Sequence, residues 1–228
     1  MSSIELKIEN KVATITLNRP EVFNSFNRAM ALELQDKLDL CEGDDQVRAI
    51  VLSGSGKAFC AGQDLKEVTD PKANPGFKKI LEEHYNPIIT RIRSIEKPIL
   101  AAVNGVAAGA GANIALACDI VIAHEKVSFI QAFSKIGLVP DSAGTFFLPR
   151  LIGFGKASAA MMLGDKIMAA EAEKLREDFF SMIRHELRKP LLTVERSLAQ
   201  LGQAEGESPL ALARSATDHL GAMIDDML

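Results

Sequence analysis

The stretch from Ile99 to Ala123 constrains this chain most: 25 consecutive residues with Asp119 as their single charge. Its length fits a membrane-spanning helix. Asn104, Asn113, Gly105, Gly109 and Gly111 break it, however, and β-branched residues gather at its two ends. That pattern predicts a buried strand, a glycine-rich turn, a helix and a second strand, with no membrane span.

The flanking sequence agrees. Ile4, Leu6 and Ile8, then Val12 to Leu17, alternate as two short strands joined at Glu9-Asn10-Lys11. Asn27 is a candidate cap for a helix through Met30, Leu34 and Leu38. Val47 to Ser53 reads as a buried strand closed at Gly54-Ser55-Gly56, and a helix is expected from about Phe77 to Ile95. Pro98 to Val103 and Asp119 to Ala123 read as further buried strands. Strands alternating with helices predict an α/β layered domain.

Composition narrows the function classes. The chain has 228 residues, 47% of them apolar, and a net charge of −4, enough for one domain with a sizeable core. A pI near 5.7 leaves no basic excess for nucleic acid. Cys41, Cys60 and Cys118 are widely spaced, as expected of reduced thiols in a cytoplasmic protein. The N-terminus lacks the basic start and apolar run of a signal peptide. His84 and His124 have no neighbours at ligand spacing, so no metal is expected.

Two glycine-bearing turns follow the buried strands: Ala58 to Leu65 and Asn104 to Asn113. The first is preceded by Gly56-Lys57, but Val51 and Ala58 stand where a P-loop needs Gly and Ser/Thr. Ile114 replaces the third glycine of a dinucleotide fingerprint. What remains is two corners of small residues, which either aim free amides at an oxygen or pack strand against helix.

In their order along the chain, several segments resemble the crotonase (enoyl-CoA hydratase/isomerase) superfamily over residues 4 to 175. They are Thr16-Leu17-Asn18-Arg19-Pro20, Ala58-Phe59-Cys60-Ala61-Gly62-Gln63-Asp64-Leu65, Asn104 to Gly109, Ala117-Cys118-Asp119-Ile120 and Ile136 to Asp141. The resemblance implies a ββα spiral that binds acyl-CoA thioesters, with coenzyme A entering as part of the substrate and no separate cofactor. It implies an oxyanion hole from the amides of Gln63 and Ala110. It also implies a substrate path along Val22, Phe23, Ala61, Asp64 and Leu65.

Hydratases of that superfamily carry two glutamates where this chain has Asn113 and Phe133. Neither residue can transfer a proton. Asp141 is the remaining acid, preceded by apolar Leu138-Val139-Pro140, which would desolvate it and raise its pKa toward that of a useful base. A single carboxylate suits isomerisation, since one group can remove and return a proton. The arrangement is similar to the ring-1,2-epoxyphenylacetyl-CoA isomerase type of the superfamily, which also shifts enoyl-CoA double bonds. The other reading of Asp141 is a cap for the helix after it.

From Arg176 the texture becomes purely helical. Phe180, Ile183, Leu187, Leu191, Val194 and Leu198 step by threes and fours, Gly202 to Glu207 is a polar loop, and Ser208-Pro209 opens a second helix. Phe179 to Leu191 resembles the H-box of a histidine kinase dimerisation hairpin, with His185 as a possible phosphoacceptor about 160° around the helix from Leu187. Two domains are therefore expected, 1–175 and 176–228. The tail predicts a homo-oligomer. The alternative function is a fusion or chimeric scaffold with a non-catalytic acyl-CoA-binding core.

Overall fold

The computed structural model describes residues 2–72 and 74–201; beyond Ile183 the described side chains are those of His185, Leu192 and Val194. Strands β1 (Ile4–Glu9) and β2 (Val12–Leu17) pair antiparallel. Asn10 and Lys11 make the turn between them at positive φ, the geometry that matches the twist of a tight hairpin. Helix α1 (Arg28–Gly43) starts where Asn27 Oδ1 accepts the Met30 amide at 2.9 Å. It buries Met30, Leu34 and Leu38, spaced one turn apart, in the main core, where the helix lies against β1 and the later helical segments Ile80–Tyr85 and Asn86–Ser94.

A repeated unit follows. β3 (Ala49–Gly54) leads into β4 (Ala58–Cys60), then into α2 (Leu65–Thr69), α3 (Phe77–Lys79), a π-helical turn over Ile80–Tyr85 and α4 (Asn86–Ser94). β5 (Ile99–Val103), β6 (Val106–Ala108) and α5 (Ala110–Ala117) repeat the pattern, and β7 (Ile120–Ala123) with β8 (Ser128–Ile130) begins it again. The first strand of each unit joins one sheet, ordered β1-β2-β3-β5-β7. The second strand joins another, β4-β6-β8, completed by antiparallel β9 (Lys166–Met168). This is the expected ββα spiral, with units stacked in parallel.

Stacking brings corners into contact. At Gly105 a Cβ would lie 2.1 Å from the Lys57 carbonyl oxygen, so only glycine lets the second corner sit on the first. Asn104 ties the same corners, accepting from the Gly54 amide at 3.2 Å and donating to the Gly56 carbonyl at 3.1 Å. Ile15, Leu17, Phe26, Ile50, Leu52 and Phe59 are fully buried between the layers. Each such side chain contributes about 1.5–3 kcal/mol relative to exposure.

Three expectations change. The apolar run of β7 is not covered on both faces: Ile120 and Ile122, which share one face of the strand, are 51% and 59% exposed, and β7 is also the edge of its sheet, beside β5 alone. The helix expected over Phe77 to Ile95 contains a π-turn, which the spacing of its apolar residues does not reveal. Strands of three residues, β4, β6, β8 and β9, were too short to register as periodic runs.

After α6 (Gly144–Ile152) and α7 (Phe154–Leu163), helix α8 runs from Ala169 to Leu201. It crosses residue 176 and passes through Pro190 without interruption. Its first part packs Leu175 beside Leu148, Ile152, Ala157 and Ala160. The loop expected at Gly202 to Glu207 and the helix expected from Ser208 lie outside the described residues. No described helix is long and apolar enough to cross a membrane; Ile99 to Ala123 divides into β5, β6, α5 and β7.

Candidate functional site

The two small-residue corners meet. Gly62, at φ 89°, has its missing Cβ position 3.4 Å from the Ala110 nitrogen and 3.0 Å from the Ala108 carbonyl oxygen. Gly109, at φ 53° and ψ −128°, swings the chain from β6 into α5 through a conformation that side chains avoid. Ala110 is therefore the first residue of α5, where amides have no partner in the preceding turn.

The Gln63 amide is freed differently. Phe26 pairs with Gln63 in a parallel bridge. Its bonds run to the flanking residues: the Phe26 amide to the Gly62 carbonyl at 2.7 Å, and the Asp64 amide to the Phe26 carbonyl at 2.8 Å. In that pattern the partner's own N–H faces the opposite side. Among the described residues, neither the Gln63 nor the Ala110 main-chain N–H donates a hydrogen bond. Two unpaired donors on adjoining corners suit an oxygen that gains charge, with the start of α5 adding its dipole.

Asp141 is tied to the same helix. Asn113, one turn beyond Ala110, donates from Nδ2 to the Asp141 carbonyl at 2.8 Å. Gln131 Nε2 holds Asn113 Oδ1, also at 2.8 Å, and both amide side chains are buried. Ser142 and Ala143 follow Asp141 at φ 50° and 58°, left-handed values uncommon for residues with a Cβ. The carboxylate accepts from Ser142 Oγ at 2.7 Å. Burial pushes its pKa up, and the Ser142 bond partly opposes that rise. The helix-cap reading does not hold: α6 is entered through Ala143 with no side-chain cap.

The remaining expected site residues divide. The segment with Val22 and Phe23 runs beside the Gln63 corner, joined by the Ala61 amide to the Phe23 carbonyl at 3.0 Å. Phe23 and Leu65 are 54% and 60% exposed, leaving apolar surface beside the corner. Asp64 is buried, with Oδ2 on Arg19 at 2.8 Å and Oδ1 capping α2 through the Lys66 amide at 3.0 Å. Both its oxygens are thus engaged with the protein. Phe133 is buried, its ring tip 3.8 Å from where a Gly109 Cβ would sit. Cys60 is buried under Gly111 with its thiol pushed up to about 12, so it is no nucleophile. His84 is buried with neither ring nitrogen partnered among the described residues, and burial lowers its pKa. His185 is exposed on α8. No group of three or more ligating side chains gathers among the described residues.

Gln131, which the sequence did not single out, belongs here; it carries no motif signal, because it works only through Asn113. Nor does the sequence signal that Arg19 pairs with Asp64, since this part-buried ion pair spans 45 residues of sequence.

The spiral fold and its facing corners define the class: the chain belongs to the enoyl-CoA hydratase/isomerase family, whose model matches residues 7–176. It is 46% identical over 176 residues to the 1,2-epoxyphenylacetyl-CoA isomerase of Escherichia coli K12, covering 76% of this chain and 67% of that protein. It is 47% identical over 173 residues to a probable enoyl-CoA hydratase of Rhodobacter capsulatus, covering 76% and 66%. The chain thus spans about two thirds of the length of these curated relatives. The solved enoyl-CoA hydratase of Thermoplasma volcanium superposes with a TM-score of 0.71 at 28% identity, covering 97% of this chain and 93% of that one.

Proposed function

We propose that the chain is an acyl-CoA isomerase of this family, acting on a double bond or ring epoxide next to a thioester. The observation that carries the reading is that one helix serves both catalytic groups. α5 offers the free Ala110 amide at its first residue and, one turn on, grips the turn that bears Asp141. For a Δ3-enoyl thioester, the Asp141 carboxylate removes a proton from the carbon between the double bond and the thioester. The electron pair moves onto the thioester oxygen as a dienolate, held by the Gln63 and Ala110 amides. The same proton returns at the far carbon, the double bond shifts into conjugation, and Asp141 is again ionised. Nothing else is consumed.

Asn113 and Phe133, in place of two carboxylates, disfavour hydration, because no second group is there to activate water. The likeness to a 1,2-epoxyphenylacetyl-CoA isomerase favours a ring substrate. Buried free thiols at Cys41, Cys60 and Cys118 suit a reducing cytoplasmic setting. The test is incubation with a Δ3-enoyl-CoA and with crotonyl-CoA, following absorbance of the conjugated thioester. The first should gain absorbance and the second stay constant. Loss of crotonyl-CoA absorbance would favour a hydratase, and no change with either would contradict the proposal.

A second reading attaches to the tail and rests on His185 standing exposed on α8 beside exposed Phe180 and Met182. Residues 176–228 then act as a histidine-kinase-like dimerising hairpin on an acyl-CoA-binding core, with no phosphotransfer of their own. Light scattering of the full chain should give a homo-oligomer, and ATP alone should leave His185 unlabelled. A monomeric mass would remove this reading.

A further inference from the structure

Tyr85 is fully buried, yet its hydroxyl donates to Gln63 Oε1 at 2.9 Å. The other end of the same side chain is held as well: Gln63 Nε2 donates to Glu67 Oε2 at 2.6 Å. Glu67 is in turn anchored, its Oε1 accepting the Arg28 amide at 2.9 Å. The Gln63 side chain is thus fixed at both polar atoms, while its main-chain N–H remains free.

Tyr85 braces the corner a second way. Its ring meets Phe26 edge-on, with centroids 6.1 Å apart, and Phe26 is the residue whose backbone bonds flank Gln63. The phenol reaches both partners from the last position of the π-turn at Ile80–Tyr85. Such turns cost regular hydrogen bonding and are often found at functional sites, where the altered register re-aims a side chain.

We infer that Tyr85 is a positioning residue: through the Gln63 side chain it sets the direction of the Gln63 amide toward the thioester oxygen. This rests on the oxyanion role proposed above. It adds that the aim of the amide is set by a side-chain brace and not by the glycine corner alone. Burial keeps the phenol neutral, its pKa pushed well above the ordinary value, so it remains a donor throughout the working pH range.

The test is spectroscopic and does not require turnover. Crotonyl-CoA labelled with ¹³C at the thioester carbonyl is bound to the wild type, and the C=O stretch is compared with that in solution. Wild type should shift the band to lower frequency. Tyr85→Phe should lose much of that shift and lower kcat for Δ3-enoyl-CoA isomerisation about ten-fold, with KM within about two-fold; ten-fold corresponds to about 1.4 kcal/mol, within the range for one hydrogen bond. Gln63→Leu, which keeps the amide but removes the brace's acceptor, should show the same loss. Tyr85→Phe added to Gln63→Leu should then change nothing further. A wild type without any band shift would overturn the oxyanion reading and this inference with it. A wild-type shift that Tyr85→Phe leaves intact, or equal losses from Tyr85→Phe in both backgrounds, would overturn this inference alone. Should Tyr85→Phe fail to fold, Gln63→Leu with a wild-type band would do so by itself.

Discussion

The amide corner and the acid corner stand one helical turn apart and are built in opposite ways. The first is shaped by backbone, with the Tyr85 brace behind it: Gly62 and Gly109 hold positive φ, and its neighbours are small enough for chains to touch. The second is made by side chains: Asn113 and Gln131 hold a turn whose left-handed residues, Ser142 and Ala143, both carry a Cβ. Each such residue costs of order 1–2 kcal/mol relative to an ordinary conformation. The amide corner fails when an atom is added; the acid corner fails when side-chain atoms are removed, although Gly144, whose Cβ would lie 2.3 Å from Asn113 Nδ2, gives it one close approach of its own. One fixes two donors for a charge that forms only in the reaction; the other holds a charge that must be available before it.

The largest effect expected from breaking this contrast is at Gly62. A Gly62→Ala methyl would lie 3.0 Å from the Ala108 carbonyl oxygen and 3.4 Å from the Ala110 nitrogen, on a backbone at φ 89°. It should displace a donor and lower kcat about 10²–10³-fold. A steady-state assay with a Δ3-enoyl-CoA checks this, and near-normal kcat would show that the corners need no close approach.

A smaller effect is expected on the other side. Asn113→Ala leaves the Gln131 amide without its partner, at about 1–3 kcal/mol for a group left buried and unpaired, and leaves the Asp141 carbonyl with the Gly144 amide alone. Denaturant unfolding measures the loss. A change within about 0.5 kcal/mol would show that water replaces Asn113 and that the side-chain brace is dispensable.

The smallest concerns pH. The base must be ionised, so kcat/KM should fall as pH drops through the raised pKa of Asp141. Ser142→Ala removes the one bond that lowers that pKa, so the acid limb should move to higher pH. A shift to lower pH would mean that the Ser142 hydroxyl does not serve the carboxylate. The stability sign runs the other way from a salt-bridged acid. Because the folded pKa lies above the unfolded one, ionising Asp141 destabilises the fold. That cost is absent below the unfolded pKa and present in full above the folded one.

The same contrast explains what the sequence discloses. The amide corner is legible because glycines between a strand and a helix have few other uses. The acid is legible as a lone carboxylate after an apolar run. The side-chain pairings behind each corner are not: Gln131 reaches Asn113 behind the acid across 18 residues of sequence, and Tyr85 reaches Gln63 behind the amide across 22, pairings created only when the spiral stacks. The three-residue strands of the second sheet are invisible for the same reason, since they form only where one unit lies on the next. The π-turn escapes because apolar spacing alone does not distinguish 4.4 from 3.6 residues per turn over so short a run.

The most direct test is Asp141→Asn, which keeps the shape of the side chain and removes its charge. Δ3-enoyl-CoA isomerisation should fall by about 10²–10⁴-fold, the usual range for a lost general base. Crotonyl-CoA affinity should stay within a few-fold, because the amide corner is untouched. Stability near neutral pH should not decrease, since an unfavourable buried charge is gone. Wild-type turnover by this variant would contradict the assignment of Asp141 as the group that carries the proton.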